Sequence, residues 1–317
     1  MEPALSYTKL ECISPVRLVP DGACAFMMEI IKSYLAWKGT YAPRASINYR
    51  IWLDRFIQIC GNKKLEEYNV LDLVKYRTWL ESKFSSCSVS FAIIVIKNFL
   101  QFCQTQSYPC LSPSLVRLPR INPKSHRAIT ESEFNKIISS LPTNEFRLLR
   151  DSLIIHMLWD TGVRVSELCD LDISQIDQGK FATSIQTKKT GKTRTIVWSQ
   201  PTHDLLVKYM TLRIQFRNSS NNSALFVGWK KKGWSHRLTT RSVERIVKAH
   251  VESSGITEKI TPHSFRHGWA HKRRDNNAPL AFIQKGLGHI NPISTFVYEQ
   301  YNDKEFEREA RSYLKAA

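Results

Sequence analysis

The sequence is short of acidic side chains. It contains 28 Asp and Glu against 46 Lys and Arg, which leaves a formal net charge of +18. Internal ion pairs cannot neutralise so large an excess, and we therefore expect a polyanionic partner, with nucleic acid as the first candidate. A basic surface that is merely solvated is the alternative that composition leaves open.

Clustered cysteines and long apolar runs are also missing. The seven cysteines are scattered, without a CxxC pair or another metal-ligand spacing. This pattern predicts reduced, mostly buried thiols, as in a cytosolic protein. No run of 18 or more apolar residues occurs, and no basic N-terminal segment precedes an apolar one. We therefore expect a protein that is neither secreted nor membrane-spanning, with a cytoplasmic location.

The chain of 317 residues is long enough for two domains with separate cores. Apolar residues at helical spacing predict four helices between residues 21 and 104, without a strand signal. A segment rich in proline and basic residues follows, and proline disfavours helix on both sides of itself. We assign residues 1–118 to an N-terminal helical domain, 119–127 to a basic linker and 128–317 to a second domain.

The second domain has helical patterns at both ends and one strand-rich insert. Thr130 opens the sequence TESE, a capping box that begins a helix, with Glu133 at its third position. The runs FATSIQT and RTIVW flank the polar turn KKTGKT, which predicts a β-hairpin. The fold class is therefore mainly α with a small β-sheet or hairpin, an α+β arrangement.

Two basic residues lie at positions suited to a phosphate. Arg164 follows Gly162, which can take the left-handed conformation that ends a helix, so a sharp turn presents its guanidinium. Lys189 lies at the hairpin tip, where a lysine could donate a proton to a leaving alkoxide. A surface arginine in an ordinary turn and plain phosphate contact by the tip are the alternatives.

The segment TPHSFRHGWAH predicts a helix with Thr261 as its N-cap and Pro262 in its first turn. His263 and Arg266 are three residues apart and share one face. A competing interpretation is a metal site, because histidines recur at 263, 267 and 271. No carboxylate stands where metallohydrolase motifs have one, and the adjacent KRR would repel a cation.

Glycines at 286 and 288 interrupt the chain before His289, which places this histidine at a turn. Asn291 and Pro292 are predicted to cap a last helix with Tyr298 and Tyr301. A phenol has a pKa of about 10, so a tyrosine nucleophile needs cationic neighbours and a base. Taken alone, each tyrosine fits a core or rim position better than the position of a nucleophile.

These signals occur in a fixed order: TGVRVSEL, a lysine within TKKTGKTR, HSFRH, LGH, and a tyrosine nine residues after that histidine. Together they closely resemble the tyrosine recombinase family, the phage-integrase type of site-specific DNA recombinase. The resemblance covers about residues 127–305, and the N-terminal helices resemble the family's core-binding, SAM-like domain. It implies a two-domain clamp around duplex DNA.

The resemblance also implies a role for each matching residue. Arg164 and Arg266 would clamp the scissile phosphate and stabilise its charge in the transition state. Lys189 would protonate the leaving 5′ oxygen. His263 would act in proton transfer with the nucleophile, and His289 would hydrogen-bond the phosphate.

Tyr298 would be the nucleophile that forms a 3′-phosphotyrosine link, with Tyr301 as the fallback. Glu167 would support the site. Pro292 departs from the serine- and threonine-rich form that is common in the family, and it could shift the start of the helix. The implied reaction exchanges one phosphodiester for another, so it needs no ATP, and no Walker loop or paired-carboxylate metal site is present. We expect no cofactor and no metal.

The implied partners are double-stranded DNA with a specific recombination site and further copies of the chain, as a tetramer on two sites. Accessory DNA-bending proteins are an open possibility, as is packing of a terminal helix, residues 304–314, onto a neighbour. DNA contacts are predicted from the second and fourth helices, the hairpin tip and the segment 237–241. The residues are Arg44, Asn48, Arg50, Lys97, Lys188, Lys192, Arg194, Arg237 and Arg241.

The function predicted from these residues is site-specific recombination, by integration and excision or by resolution of DNA elements. A type IB topoisomerase-like or telomere-resolving activity is the alternative within the same chemistry. A catalytically silent DNA-binding relative is the alternative in a different class. The products formed from two-site substrates would separate the first two.

Overall fold

The computed structural model describes residues 27–119, 127–177, 179–187, 191–215, 222–229 and 235–299, together with Glu307 and Arg311. The chain divides into two compact units, Met1–Lys124 and Ser125–Ala317. This division falls within the predicted linker.

Several predictions concern residues outside the described ranges. They are most of the linker, Lys188, Lys189 and Tyr301. Of the terminal helix predicted for residues 304–314, Glu307 and Arg311 are described, and they form an ion pair one helical turn apart.

The first unit is helical, as predicted. Its helices are α1 (Met27–Tyr41), α2 (Pro43–Cys60), α3 (Val70–Lys83) and α4 (Ser86–Thr105). Pro43 lies in the first turn of α2, where its missing N–H costs no helical hydrogen bond.

The core of the first unit is built around α4. Within the described residues, α4 is the one helix that is long and apolar enough to cross a membrane. Its apolar side chains, such as Val95 and Phe99, are buried against Tyr34 of α1 and Leu53 of α2. This core accounts for the apolar character of the helix.

The second unit contains eight named helices in its described part and two short antiparallel hairpins. The helices are α5 (Glu131–Ser139), α6 (Phe146–Thr161), α7 (Val165–Asp170), α8 (Gln200–Gln215), α9 (Thr240–Ser253), α10 (Pro262–Asp275), α11 (Leu280–Leu287) and α12 (Ile293–Phe296). The strands are β1 (Ala182–Gln186), β2 (Thr193–Val197), β3 (Val227–Trp229) and β4 (Ser235–Arg237). The mainly α fold with small antiparallel sheets is confirmed.

The predicted hairpin is β1–β2, which pairs Ala182 with Val197 and Gln186 with Thr193. The second hairpin, β3–β4, was not predicted. It pairs only three residues on each strand, too few for a recognisable alternation of apolar and polar side chains.

Helix α6 lies at the centre of the second unit and is buried on almost every side, from Leu149 to Trp159. It packs against α8 and α10. Helix α5 begins with the predicted capping box, in which Thr130 and Glu133 each accept a hydrogen bond from the other's backbone N–H.

Three helix termini position the candidate site. Helix α6 ends at Gly162, whose φ of +59° is left-handed and where an added Cβ would lie 2.8 Å from the Trp269 ring. Helix α10 begins after Thr261 with Pro262 in its first turn, as predicted. Helix α11 ends at Gly288, also left-handed, which turns the chain toward His289.

Candidate active site

Tyr298 lies in a buried pocket at the end of the described chain. It belongs to a 3₁₀ turn, Val297–Glu299, that directly follows α12. Its side chain is 4% exposed and shares a small apolar cluster with Trp269 and Leu287. Arg274 donates a hydrogen bond to its backbone carbonyl at 3.1 Å, which ties the turn to α10. Helix α12 begins directly after Pro292, as predicted, but it is short and continues as this 3₁₀ turn.

The hydroxyl of Tyr298 is hydrogen-bonded to Nδ1 of His267 at 2.9 Å. His263, the predicted proton-transfer partner, instead has its ring edge-on to that of His267, with centroids 4.6 Å apart. The direct partner of the phenol in this structure is therefore His267, one helical turn further along α10.

The histidine series that allowed a metal interpretation is arranged around the tyrosine. His267 and His271 both contact the Tyr298 ring, at centroid distances of 5.5 and 5.6 Å. Across the described ranges, no three His, Cys, Asp or Glu side chains form a group that could hold a metal ion.

Arg266 is buried beneath the site with 2% of its surface exposed. It donates hydrogen bonds to the carbonyls of Gly162, at 2.8 Å, and Leu287. Burial and the neighbouring charge of Arg164 lower the pKa of Arg266 to about 9, so it remains charged at neutral pH. Two helix-terminal carbonyls thus fix the orientation of a cation that is poorly solvated.

Glu167 is the acidic centre of the site. Arg194 donates to its two oxygens at 2.9 and 2.7 Å, and Arg164 donates from its backbone N–H at 2.8 Å and from Nη1 at 3.0 Å. Burial alone would raise the pKa of Glu167, but the hydrogen bonds and charge of Arg194, helped by Arg164, lower it to about 2. Glu167 therefore stays ionised and orients Arg164.

The sequence predicted Arg194 as a DNA contact, but the structure buries its side chain. Its side chain is 6% exposed. Besides Glu167, it donates to Thr187 at 2.9 Å and to the Gly286 carbonyl at 2.9 Å. These bonds connect the β1–β2 hairpin to α7 and to the segment before His289, so Arg194 supports the site from behind.

His289 follows Gly288, and its Nδ1 lies 2.8 Å from the hydroxyl of Thr295. Burial, with the charges of Arg266 and Arg164, lowers the pKa of His289 to about 4. The ring is therefore neutral at pH 7. If the Thr295 hydroxyl donates to Nδ1, the ring proton lies on Nε2, which can then donate to a phosphate oxygen.

The nucleophile candidate is not ionised at rest. Burial raises the pKa of Tyr298, although Arg266 and Arg164 act in the opposite direction. The same two arginines act on both Tyr298 and His289, so the candidate residues of α7, α10 and the 289–298 segment form one electrostatic site.

Arg164 and His263 lie at the open side of this site. The Arg164 side chain is 36% exposed, and His263 is also exposed. Both line a cavity of about 880 Å³, whose other charged lining residues are Lys248, Lys259, Glu244, Glu252 and Glu258. A large anion can therefore reach Arg164 from solvent.

The predicted DNA contacts have different surroundings. Arg237 donates to the carbonyls of Cys169, at 2.9 Å, and Leu171, at 3.2 Å, and pairs with Asp172. These bonds hold Arg237 against the segment 169–172, while 34% of its side chain stays exposed, so its DNA contact remains a prediction. Arg44, Asn48 and Arg50 on α2, Lys192 beside the hairpin tip and Arg241 on α9 are exposed, and Lys97 on α4 is half-buried.

Sequence reasoning missed two residues of the site. His267 was considered only as a member of the possible metal group. Its position directly after Arg266 in the motif HSFRH was the available signal. Thr295, which is fully buried, was overlooked because a threonine in a helical segment carries no signal of its own. Only the approach of α12 to His289 gives it a role.

The sequence profile of the Phage integrase family matches residues 127–305. Tyrosine recombinase XerA of Pyrococcus furiosus is 30% identical over 286 residues, which cover 89% of this chain and 91% of the relative.

Two solved structures are similar in fold. The XerH site-specific recombinase bound to palindromic difH substrate, in a post-cleavage complex, has a TM-score of 0.72 at 18% identity, over 92% of this chain and 86% of XerH. A lambda integrase dimer bound to a COC′ core site has a TM-score of 0.70 at 15% identity, over 87% of this chain and 77% of the integrase. Both support the fold, and the family profile together with the XerA relative shows that the chain belongs to the phage integrase family of tyrosine recombinases.

Proposed function

We propose that the protein cleaves and rejoins DNA at a specific site through a 3′-phosphotyrosine intermediate. The observation that carries this proposal is a buried phenol, Tyr298, next to a cationic site. Against the effect of burial, the charges of Arg266 and Arg164 lower the pKa of that phenol, and within the described residues Glu167 is the only acid that pairs with Arg164, Arg194 or Arg266. A phosphodiester would supply the missing negative charge.

Each site residue then has a task. Arg164 and Arg266 would bind the two non-bridging oxygens, and Nε2 of His289 would donate a further hydrogen bond. Lys189, outside the described residues, is proposed to protonate the leaving 5′ oxygen from the tip of the β1–β2 hairpin. His263 would take part in proton transfer through its contact with His267.

Transesterification makes an external energy source unnecessary. The P–O bond to the leaving 5′ oxygen is replaced by a P–O bond to Tyr298, so the free 5′ hydroxyl of another strand can reverse the step. The arginines stabilise the charge of the transition state. We therefore propose a reaction without ATP, a metal ion or another cofactor.

The two units would bind duplex DNA as a clamp, with residues 1–118 as the core-binding domain and 128–317 as the catalytic domain. Arg44, Ile47, Asn48 and Ile51 form one exposed stripe on α2, at helical spacing. Such a stripe suits the major groove, where Arg reads guanine, Asn reads adenine and an apolar side chain contacts the thymine methyl group.

The remaining proposed contacts serve affinity. Lys97, Lys192 and Arg241 would bind phosphates, which are contacted without regard to sequence. Arg241→Ala is then expected to weaken binding to specific and random DNA equally, whereas Asn48→Ala should weaken binding to the specific site more. If Asn48→Ala weakened binding to specific and random DNA equally in a titration, α2 would contact the DNA backbone and not the bases.

Oligomers follow from the chemistry. Exchange between two duplexes breaks four strands, and each protomer supplies one Tyr298. We therefore propose a tetramer on two sites, with the segment 304–314 packing onto a neighbour and with accessory DNA-bending proteins as possible helpers. Because its proposed substrate is DNA, we propose that the protein is cytoplasmic and associates with the nucleoid.

Covalent trapping tests the proposal. Wild type, Tyr298→Phe and Tyr301→Phe are incubated with nicked duplexes that carry the target site, and protein–DNA adducts are separated under denaturing conditions. We expect an adduct that only Tyr298→Phe abolishes. If no adduct forms on a site that the protein binds, the chain is a DNA-binding relative without catalysis.

A two-site plasmid separates recombination from simple relaxation. Recombinant junctions are expected, since the proposed tetramer holds two sites together. Relaxed circles without junctions would instead indicate a type IB topoisomerase-like activity.

A further inference from the structure

The most direct contact of the candidate nucleophile is with a residue outside the set of catalytic residues that the sequence predicted. The Tyr298 hydroxyl lies 2.9 Å from Nδ1 of His267. Tyr298 is 4% exposed and His267 is 6% exposed, so bulk water does not compete for this hydrogen bond. In such an environment a hydrogen bond is stronger and its geometry is better defined than in water.

The contact has the geometry required of a base. A general base must lie within hydrogen-bonding distance of the proton that it removes, about 2.6–3.2 Å between heavy atoms. Burial raises the pKa of Tyr298, so its proton is still present when a phosphate arrives. Some group must then accept that proton as the phenol oxygen attacks.

The other histidines near the pocket make different contacts. His263 is edge-on to His267 at a centroid distance of 4.6 Å. His271 is edge-on to the Tyr298 ring at 5.6 Å, and His289 is stacked parallel to it at 6.4 Å, with its Nδ1 at Thr295. Among the hydrogen bonds of the described residues, only that of His267 reaches the hydroxyl of Tyr298.

We propose that His267 is a catalytic residue that accepts the Tyr298 proton through Nδ1 during strand cleavage. The inference rests on the function proposed above and adds a base to it. The O–H bond of Tyr298 breaks and its proton moves to Nδ1, while the phenol oxygen forms a bond to phosphorus. The P–O5′ bond breaks, and the 5′ oxygen takes a proton from the acid, proposed to be Lys189.

The reverse step uses the same atoms. When a 5′ hydroxyl attacks the phosphotyrosine, its proton passes to the deprotonated amine proposed to be that of Lys189, and the imidazolium of His267 returns its proton to the departing phenol oxygen. Rejoining therefore needs the same residue in its protonated form, which cleavage has just generated. One histidine thus serves both halves of the strand exchange.

Three substitutions separate a base from a structural support. His267→Ala removes the acceptor, and His267→Gln keeps a hydrogen-bond acceptor that cannot take up a proton. His271→Ala is the matched comparison, because His271 lies on the same helix and contacts the same tyrosine ring. All are compared at equal occupancy of a nicked site, by the rate of adduct formation.

We expect His267→Ala and His267→Gln to slow adduct formation about 10²- to 10³-fold, within the usual range for general bases. His271→Ala should cost less than tenfold. Added imidazole should speed up His267→Ala in proportion to its concentration and leave Tyr298→Phe inactive. A role in packing alone would show no such rescue.

A substrate with sulfur in place of the bridging 5′ oxygen adds a second readout. A sulfur leaving group needs no proton, so a variant that lacks the general acid should cleave this substrate normally. A variant that lacks the general base should remain slow. His267→Ala should stay slow on this substrate, with Lys189→Ala as the variant that recovers. Recovery of His267→Ala would assign it to the leaving group and overturn the proposal.

Wild-type rates in His267→Gln, within about threefold, would also overturn it, because a positioning role would then suffice. Failure of the proposed function gives a different result. In that case wild type itself forms no adduct on a site that it binds, whereas every failure of this inference leaves wild type active.

Discussion

Two buried arginine clusters lie near opposite ends of α6. Close to its start, Arg150 donates to Asp151 from two nitrogens, at 2.8 and 2.7 Å, and His250 contacts the other oxygen of that carboxylate at 3.2 Å. Beyond its end, Arg266 donates to the carbonyls of Gly162 and Leu287. Within the described residues, no carboxylate forms an ion pair with Arg266.

The two clusters therefore differ in charge balance. Arg150 and Asp151 neutralise each other, which is what a buried pair needs in order to persist. At the other end, Glu167 is shared by Arg164 and Arg194, so three arginines have one carboxylate between them. An excess of buried positive charge is costly without a ligand, and a phosphate would remove that cost.

The largest expected difference is in catalysis. Arg266→Ala should slow adduct formation about 10³-fold or more, the range seen when an arginine that stabilises a phosphoryl transition state is removed. Arg266→Lys should recover little of this, since a lysine cannot bind two oxygens at once. Arg150→Ala, measured per folded and DNA-bound molecule, should cleave like wild type. Equal losses in the two clusters would show that charge balance does not mark the catalytic site.

The second difference is in what each carboxylate does. Glu167→Gln and Asp151→Asn should each lower the free energy of unfolding by about 3 kcal/mol or more, because each leaves a buried arginine without its partner. Chemical denaturation measures both. Only Glu167→Gln should also slow cleavage at temperatures where the protein is folded, since Glu167 orients Arg164. A Glu167→Gln enzyme with unchanged cleavage would limit Glu167 to stability.

The contrast between the clusters shows which features the sequence could predict. Helix termini are local, so the capping box at Thr130, the left-handed Gly162 and the start of α10 at Pro262 could be predicted from neighbouring residues. The order of the sequence motifs identified Arg164, Arg266, His289 and Tyr298 as candidate site residues. These features depend on short segments and can be recognised without knowledge of the tertiary structure.

Partner choice could not be predicted in this way. Arg194 was expected to contact DNA, but its carboxylate is 27 residues away in sequence, and that of Arg237 is 65 residues away. His263 and His267 share one face of α10, and only the approach of the 3₁₀ turn at Tyr298 selects His267. Such choices arise from tertiary packing, and a basic residue alone does not reveal whether it binds DNA or a buried acid.

A third difference concerns how stability depends on pH. The pKa of Glu167 is about 2 in the folded protein and 4.5 in an ordinary glutamate. A lowered pKa means that its stabilising contribution is complete above pH 4.5 and is lost as the pH falls toward 2. We expect this group to contribute on the order of 3 kcal/mol across that window. Denaturant unfolding at several pH values should show a shallower acid dependence in Glu167→Gln than in wild type.

The smallest expected effect is the most direct test of charge balance. Sulfate should stabilise the wild type by about 1 kcal/mol when it is present at about five times its dissociation constant, because it binds only the folded cationic site. Arg266→Met should lose this stabilisation. Without sulfate, its stability should stay within about 1 kcal/mol of wild type, since relief of a desolvated charge offsets the loss of two carbonyl hydrogen bonds.

Arg150→Met provides the matched comparison, because it removes an arginine whose charge is already balanced. It should be destabilised by about 3 kcal/mol, since Asp151 and the Val227 carbonyl lose their donor, and its response to sulfate should equal that of wild type. Thermal and denaturant unfolding with and without sulfate would measure all three proteins. If the two methionine variants lost equal stability, or if both kept the sulfate effect, Arg266 would be as fully paired as Arg150, and the cationic excess would lie elsewhere in the chain.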